Sequence, residues 1–199
     1  ETTLAGLDAV VLPGGFSYGD ALRCGAIARF APIMDDVQQA AAEGMPILGM
    51  CNGFQVLTES HLLPGALLRN ETLRFHCFRA TIRIENASTA WTSALEEGDV
   101  LTLPVAHGEG AYYIDDEGLR ALEANSQIVA RYCEPDGTVT DTANKNGSVA
   151  NIAAVCNSQG NVVGIMPHPE RATNNLVGGA DGLRMLRSVL SLENAAVIG

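Results

Sequence analysis

The chain has 199 residues, of which 47% are hydrophobic and 18% charged, enough for one sizeable core and a single domain over residues 1–199. Its 23 acidic residues against 12 basic ones leave a formal charge of −11, which argues against nucleic acid as a partner, because displacing counterions from a phosphate backbone takes a basic face. No apolar stretch approaches the roughly 20 residues needed to span a bilayer, so no membrane partner is expected, and no internal repeat or low-complexity tract is present.

Ala9 to Leu12 is a continuous apolar run ending in Pro13, Gly14 and Gly15, which reads as a buried strand followed by a tight loop. Ala26 to Glu43 carries a helical pattern with Ile27, Phe30, Ile33, Met34 and Val37 on one side, and Gly44 is a natural stop. Met45 to Met50 reads as the next buried strand, so strand, helix and strand imply a parallel pair, and a further helix begins near Asn52. The middle third changes character. Ala80 to Glu85 alternates, and Val100 to Val105 and Ile128 to Tyr132 read as half-exposed or edge strands. Ile152 to Cys156 and Val162 to Met166 flank Asn157–Asn161, whose turn chemistry predicts an antiparallel hairpin. A helix from about Gly182 to Leu192 closes the chain, with Leu183, Leu186 and Leu190 on its inner face. The class is α/β with a mixed sheet. The chain enters a strand almost at Glu1, without the strand and helix that usually open a doubly wound sheet.

Cys51 stands where a short apolar strand meets a helix, in the run Pro46, Ile47, Leu48, Gly49, Met50, Cys51, Asn52, Gly53, Phe54, Gln55. That is the pattern of a nucleophile elbow, in which flanking glycines avoid collisions with the neighbouring strand and helix. At a helix N-terminus the thiolate is also expected to form more readily than a free one. Cys24, Cys77, Cys133 and Cys156 lack paired glycines and read as core filling, and no Cys or His spacing matches a redox or metal site, so no metal is expected. Scattered, odd-numbered cysteines without a signal-like N-terminal segment point to the reducing cytoplasm.

A cysteine nucleophile needs a base, and the base works best when a third group fixes its tautomer. His61 and His76 read as structural. His168 and His107 each carry a glutamate two residues on, Glu170 and Glu109. In Met166, Pro167, His168, Pro169, Glu170, Arg171 the prolines favour extended backbone, which turns residues i and i+2 to the same side, whereas the glycines around His107 suit a loop contacting ligand or partner. Spacing alone does not choose between the pairs; rigidity favours His168. Attack on a carbonyl also needs oxyanion donors. The amide of Asn52 is one, and the loop Gly14, Gly15, Phe16 can supply another and approach substrate closely, with Phe16 and His107 expected at the substrate. This loop is not a phosphate cradle, lacking the GK[ST] ending and the GxGxxG pattern.

With these residues assembled, the chain resembles the class I (triad) glutamine amidotransferases, and more narrowly the glutaminase component of phosphoribosylformylglycinamidine synthase in purine biosynthesis. The likeness runs through Pro13–Asp20, Gly49–Gln55, Leu73–Phe75, Pro104–Gly110, Asn146–Ser148 and Met166–Arg171, in the family's order. Phe54 and Phe16 stand where other branches carry histidine and proline, which points to the purine branch. The resemblance implies Cys51 as nucleophile, His168 as general acid and base, Glu170 as its orienter, Gly15 and Asn52 as oxyanion amides, and Gln55 as a contact to substrate glutamine. It implies a flavodoxin-like three-layer sandwich with a mixed, mostly parallel sheet, lacking the N-terminal strand and helix with which family members begin. It implies no cofactor in this chain, with ATP and Mg on a synthetase partner, to which a small accessory subunit is sometimes added. Tyr18, Arg23 and His107 are expected on the exposed rim that docks this partner. Two other readings keep the elbow: a cysteine hydrolase or chaperone-like protein of the same superfamily, and a catalytically silent regulatory subunit.

Overall fold

The computed structural model describes residues 3–196, with side chains described to residue 190. Thirteen regular elements follow one another. β1 (Val10–Leu12), α1 (Ile33–Ala42), β2 (Ile47–Met50) and α2 (Asn52–Glu59) form the first third. Next come β3 (Ala66–Leu68), β4 (His76–Ile84), β5 (Val100–His107), β6 (Ala111–Tyr113), α3 (Asp116–Ala124) and β7 (Ile128–Tyr132). β8 (Ile152–Cys156), β9 (Val162–Ile165) and α4 (Asp181–Ala196) complete them.

Among the described residues, seven strands form one sheet in the order β1-β2-β9-β8-β7-β4-β5, and β3 pairs with β6 in a small second sheet. β1, β2 and β9 run parallel, with Leu48 opposite Val163 and Met50 opposite Ile165. The other four interfaces of the large sheet are antiparallel. The sheet is therefore mixed, as expected, but its parallel part is smaller than the "mostly parallel" sheet the sequence suggests. Parallel neighbours need a crossover, and a helical crossover joins β1 directly to β2, whereas β8 returns to β9 through the tight turn at 157–161.

Burial follows from alternation along the strands. On one face Leu48, Met50, Leu101, Leu103, Val163 and Ile165 pack with Trp91, Leu95 and Met185 of α4. On the other, Ile47, Val155 and Val162 pack under Met34 and Val37 of α1, Phe54 and Leu57 of α2, and Leu122 of α3. These are the three layers of the sandwich. α3 is held at its start by Asp115, whose carboxylate accepts from the Gly118 N–H at 2.8 Å.

Two helices differ from the sequence reading. The helix expected from Ala26 begins only at Ile33, after Pro32, because a proline fits the start of a helix and not its interior. Residues 28–30 form a 3₁₀ turn whose Phe30 is exposed under the Arg29 guanidinium. Among the described side chains of α4, Gly182, Met185 and Ser188 are buried, backed by Leu186 and Val189, while Leu190 faces solvent.

Candidate active site

β2, second in the sheet between β1 and β9, ends at Met50, and the chain reverses there at Cys51. Its φ of 49° and ψ of −105° lie outside the regions a non-glycine residue prefers, which is the strained backbone a nucleophile elbow requires. The turn is held by the Cys51 N–H, which donates to Ile165 O at 2.8 Å, and by tight packing of Gly49 and Gly53. A Cβ on Gly49 would lie 2.5 Å from Leu57 Cδ1, and one on Gly53 would run into the Leu12 carbonyl. The elbow thus locks β1, β2 and α2 together.

The resting thiol points at Ala106 O, 3.6 Å away. Burial pushes its pKa up to about 11, and the charges of Glu170 and Asp20 add to that. The Asn52 N–H, donating to the sulfur, and the charge of Arg171 oppose it. The helix N-terminus therefore acts as expected in direction, but desolvation outweighs it. Cys51 rests as a thiol, not as the readily formed thiolate the sequence suggests.

β9 delivers Pro167, His168 and Glu170 to the same edge, since β9 and β2 are parallel neighbours. His168 is 1% exposed, its N–H donates to Pro104 O at 2.8 Å, and its Nδ1 lies 2.6 Å from Glu170 Oε1. A carboxylate oxygen at Nδ1 keeps the ring proton there and leaves Nε2 with its lone pair. That buried Nε2 has no hydrogen-bond partner among the described residues. Gly14 measures how close the parts sit. A Cβ on it would lie 2.6 Å from His168 Cε1 and 3.5 Å from Cys51 Cβ, so imidazole, nucleophile and the glycine loop share one small space.

Around this centre lie three further parts. The loop after β1 is tied to α2 by Asn52, whose Oδ1 accepts from Ser17 N at 3.2 Å and Ser17 Oγ at 2.6 Å. Gln55, expected to touch substrate, is buried and has both ends of its amide engaged within the protein: Oε1 accepts from Asn52 Nδ2 at 2.9 Å and Nε2 donates to Glu109 O at 2.6 Å. Beside it opens a cavity of ≈ 250 Å³ lined by Asp20, Cys24, Arg69, Arg74 and Glu109 among others. Arg69 Nε is 3.6 Å from Glu109 Oε1, and the Cys24 N–H donates to Glu109 Oε2 at 3.4 Å. Burial and the neighbouring carboxylates push the Cys24 thiol pKa well up.

Two expected contacts are placed differently. His107 is not at an exposed rim: it is the last residue of β5, paired across to His76, 4% exposed, with Nδ1 3.0 Å from Asn70 Oδ1. The β4–β5 ladder runs two residues past Val105 and carries the histidine into the structure, where burial, assisted by the charges of His76 and His168, lowers its pKa to about 4. Phe16 is 67% exposed and lines an apolar groove of ≈ 500 Å³ along β1 with Leu12, Val37 and Val56, not the cavity beside Glu109. Tyr18 and Arg23 are exposed, Arg23 pairing with Glu59.

Sequence reasoning assigned nothing to Asn70, which is fully buried, bonds His107 and Gly110 N through Oδ1, and donates to Arg74 O and His107 O. Nor did it assign roles to Ser17 and Asp20, although both stand in the Pro13–Asp20 motif. Their motif membership was the only signal; Ser17 contacts Asn52, 35 residues on, and Asp20 stands in the cavity wall with Cys24, Arg69 and Glu109. Among the described residues no cluster of His, Cys, Asp or Glu is arranged to hold a metal ion. No helix among them is long and apolar enough to cross a membrane.

Residues 1–179 match the CobB/CobQ-like glutamine amidotransferase domain. The chain is 61% identical over 192 residues to the phosphoribosylformylglycinamidine synthase subunit PurQ of Thermomicrobium roseum, covering 96% of this chain and 81% of the relative. It is 58% identical over 191 residues to the protein of the same name from Acaryochloris marina, with the same coverage. Of solved structures, PurLQS from Thermotoga maritima superimposes with a TM-score of 0.84 at 42% identity, over 96% of this chain and 82% of the matched one. A glutaminase domain of CTPS from Trypanosoma brucei, at 16% identity and a TM-score of 0.56, shares the fold.

Proposed function

The chain belongs to the CobB/CobQ-like glutamine amidotransferase family, and from that premise we propose that it is the glutaminase component of phosphoribosylformylglycinamidine synthase, hydrolysing glutamine through a thioester on Cys51. The observation that carries the catalytic assignment is the convergence of three separate segments on one glycine-sized space: Gly14, Cys51 and the Glu170-held His168.

Glutamine enters with its side-chain amide over the elbow and its charged head group toward the cavity walled by Asp20, Glu109, Arg69 and Arg74. As Sγ bonds to the amide carbon, the S–H turns from Ala106 O and gives its proton to His168 Nε2. A thiol with a pKa near 11 suits this order, in which proton and sulfur move together. The oxyanion accepts from the N–H groups of Asn52 and Gly15. When the tetrahedral intermediate collapses, the C–N bond breaks, the imidazolium protonates the departing nitrogen, and ammonia leaves. His168 then takes a proton from water as the water oxygen attacks the thioester carbon. The C–S bond breaks, glutamate departs and the proton returns to Cys51. Glu170 keeps Nε2 available throughout and stabilises the imidazolium.

The ammonia passes to a synthetase partner that holds ATP and Mg, in the cytoplasm, and exposed Tyr18 and Arg23 belong to the docking rim. The test is glutamine hydrolysis by the protein with and without its synthetase. Cys51→Ser is expected to abolish both hydrolysis and the trapped γ-glutamyl adduct on residue 51. An adduct on another cysteine, or hydrolysis that persists in Cys51→Ser, would overturn the assignment.

A further inference from the structure

We propose that Ser17, Asn52 and Gln55 form a positioning relay that sets the Gly14–Gly15 loop over the nucleophile and couples it to the loop carrying Glu109; this rests on the glutaminase reading above. The relay is a continuous chain of side-chain hydrogen bonds. Ser17 Oγ donates to Asn52 Oδ1 at 2.6 Å, Asn52 Nδ2 donates to Gln55 Oε1 at 2.9 Å, and Gln55 Nε2 donates to Glu109 O at 2.6 Å. Each amide has one usable orientation, because turning either one around would set donor against donor or acceptor against acceptor.

Helix geometry does not require this arrangement. Asn52 is the first residue of α2 and Gln55 lies three further on, and the side chain of the cap residue Cys51 makes no capping hydrogen bond to this first turn. Asn52 instead reaches back 35 residues to Ser17, and Gln55 reaches forward 54 to Glu109. Both amides are only 4% exposed, and polar groups so buried are costly unless every member of the network is satisfied. The three segments joined are those that must be in register for the chemistry: the glycine loop, the elbow, and the wall of the ≈ 250 Å³ cavity. The segment at Ser17–Asp20 is one irregular turn, in which Gly19 N–H donates to Phe16 O at 3.0 Å and Ala21 N–H to Tyr18 O at 3.3 Å, with Tyr18 and Asp20 at φ of 55° and 54° and Tyr18 exposed. Asn52 also donates its backbone N–H to the Cys51 sulfur, so a shift of its side chain moves a donor at the reacting centre.

A positioning role is separable from substrate binding and from the nucleophile itself. Ser17→Ala removes the hydroxyl link and keeps the Ser17 N–H bond to Asn52, and Gln55→Leu removes both links at Gln55, to Asn52 and to Glu109 O. With the full-length protein assembled with its synthetase, Ser17→Ala is expected to lower kcat for glutamine hydrolysis at least tenfold with KM within twofold. Ser17→Thr, which keeps the hydroxyl, restores kcat. Ser17→Ala combined with Gln55→Leu should lose much less than the product of the single losses, because each breaks the same chain. Alkylation of Cys51 by iodoacetamide, which needs no oxyanion loop, should proceed at the wild-type rate in Ser17→Ala. An unchanged kcat, a loss confined to KM, multiplicative losses in the double variant, or slowed alkylation overturns the relay. Absence of Cys51-dependent hydrolysis in the wild-type protein overturns the glutaminase reading, and the relay with it.

Discussion

Replacing Gly14 with alanine tests the geometry at the point where it is tightest. The added methyl would lie 2.6 Å from His168 Cε1, 3.3 Å from its Nδ1 and 3.5 Å from Cys51 Cβ. The first distance is well inside contact, so one side must give by nearly an ångström. The imidazole is poorly placed to yield: it is 1% exposed, its backbone N–H is bonded to Pro104 O and its ring to Glu170. If the loop yields instead, the Gly15 amide proposed above as an oxyanion donor moves with it. Either displacement misaligns a catalytic group, and a misplacement of about 1 Å costs about 100-fold, or about 2.7 kcal/mol of transition-state stabilisation. The fold should survive, because Gly14 is not among the glycines with left-handed φ and the loop is partly exposed. The expected result is glutamine hydrolysis down about 100-fold, with a thermal unfolding midpoint within a few degrees of wild type. Activity within threefold of wild type in a folded Gly14→Ala protein would refute the proposed disposition of His168, Cys51 and the glycine loop.

Two predictions concern protons. With Cys51 held near pKa 11, alkylation by iodoacetamide should accelerate about tenfold per pH unit from neutrality toward pH 11; a plateau already reached near pH 7 would show a resting thiolate and contradict the concerted transfer. His107 binds its proton more weakly in the folded protein, about 4 against an ordinary 6.5. Between those values the unfolded chain takes up the proton and the folded one does not, so stability is whole above pH 6.5 and is lost as pH falls toward 4, by roughly 2–3 kcal/mol. Urea titrations at pH 7 and pH 4.5 should show this loss shrinking in His107→Gln, which can still donate to Asn70; an unchanged acid limb would mean other groups carry it.

Much of the site is legible along the chain because local rules govern it. An apolar strand meeting a glycine-flanked cysteine and a helix start can be read at Leu48–Phe54, since the collisions that exclude a Cβ at Gly49 and Gly53 arise within the strand-turn-helix unit and the strand beside it. The prolines around His168 restrict its backbone locally, but Pro169–Arg171 forms a 3₁₀ turn and not the extended run the spacing suggested, and that turn brings Glu170 Oε1 to the ring. Local rules also mislead where a single residue intervenes: the helical pattern from Ala26 is cut by Pro32. His107 and His168 carry the same spacing to a glutamate, and their neighbours alone do not show that one ends up held by Asn70 and the other by Glu170.

What only the tertiary structure decides is the environment of those groups. The helix N-terminus beside Cys51 can be read from the sequence, but the layers that bury the thiol and raise its pKa come from strands and loops scattered over more than a hundred residues. Likewise Gln55 reads as free to meet substrate until the fold brings Asn52 and the Glu109 carbonyl to its two ends. Backbone preference is set by near neighbours and can be read locally. Desolvation and hydrogen-bond partnership depend on whichever distant segments close over a group, and those appear only once the sheet is assembled.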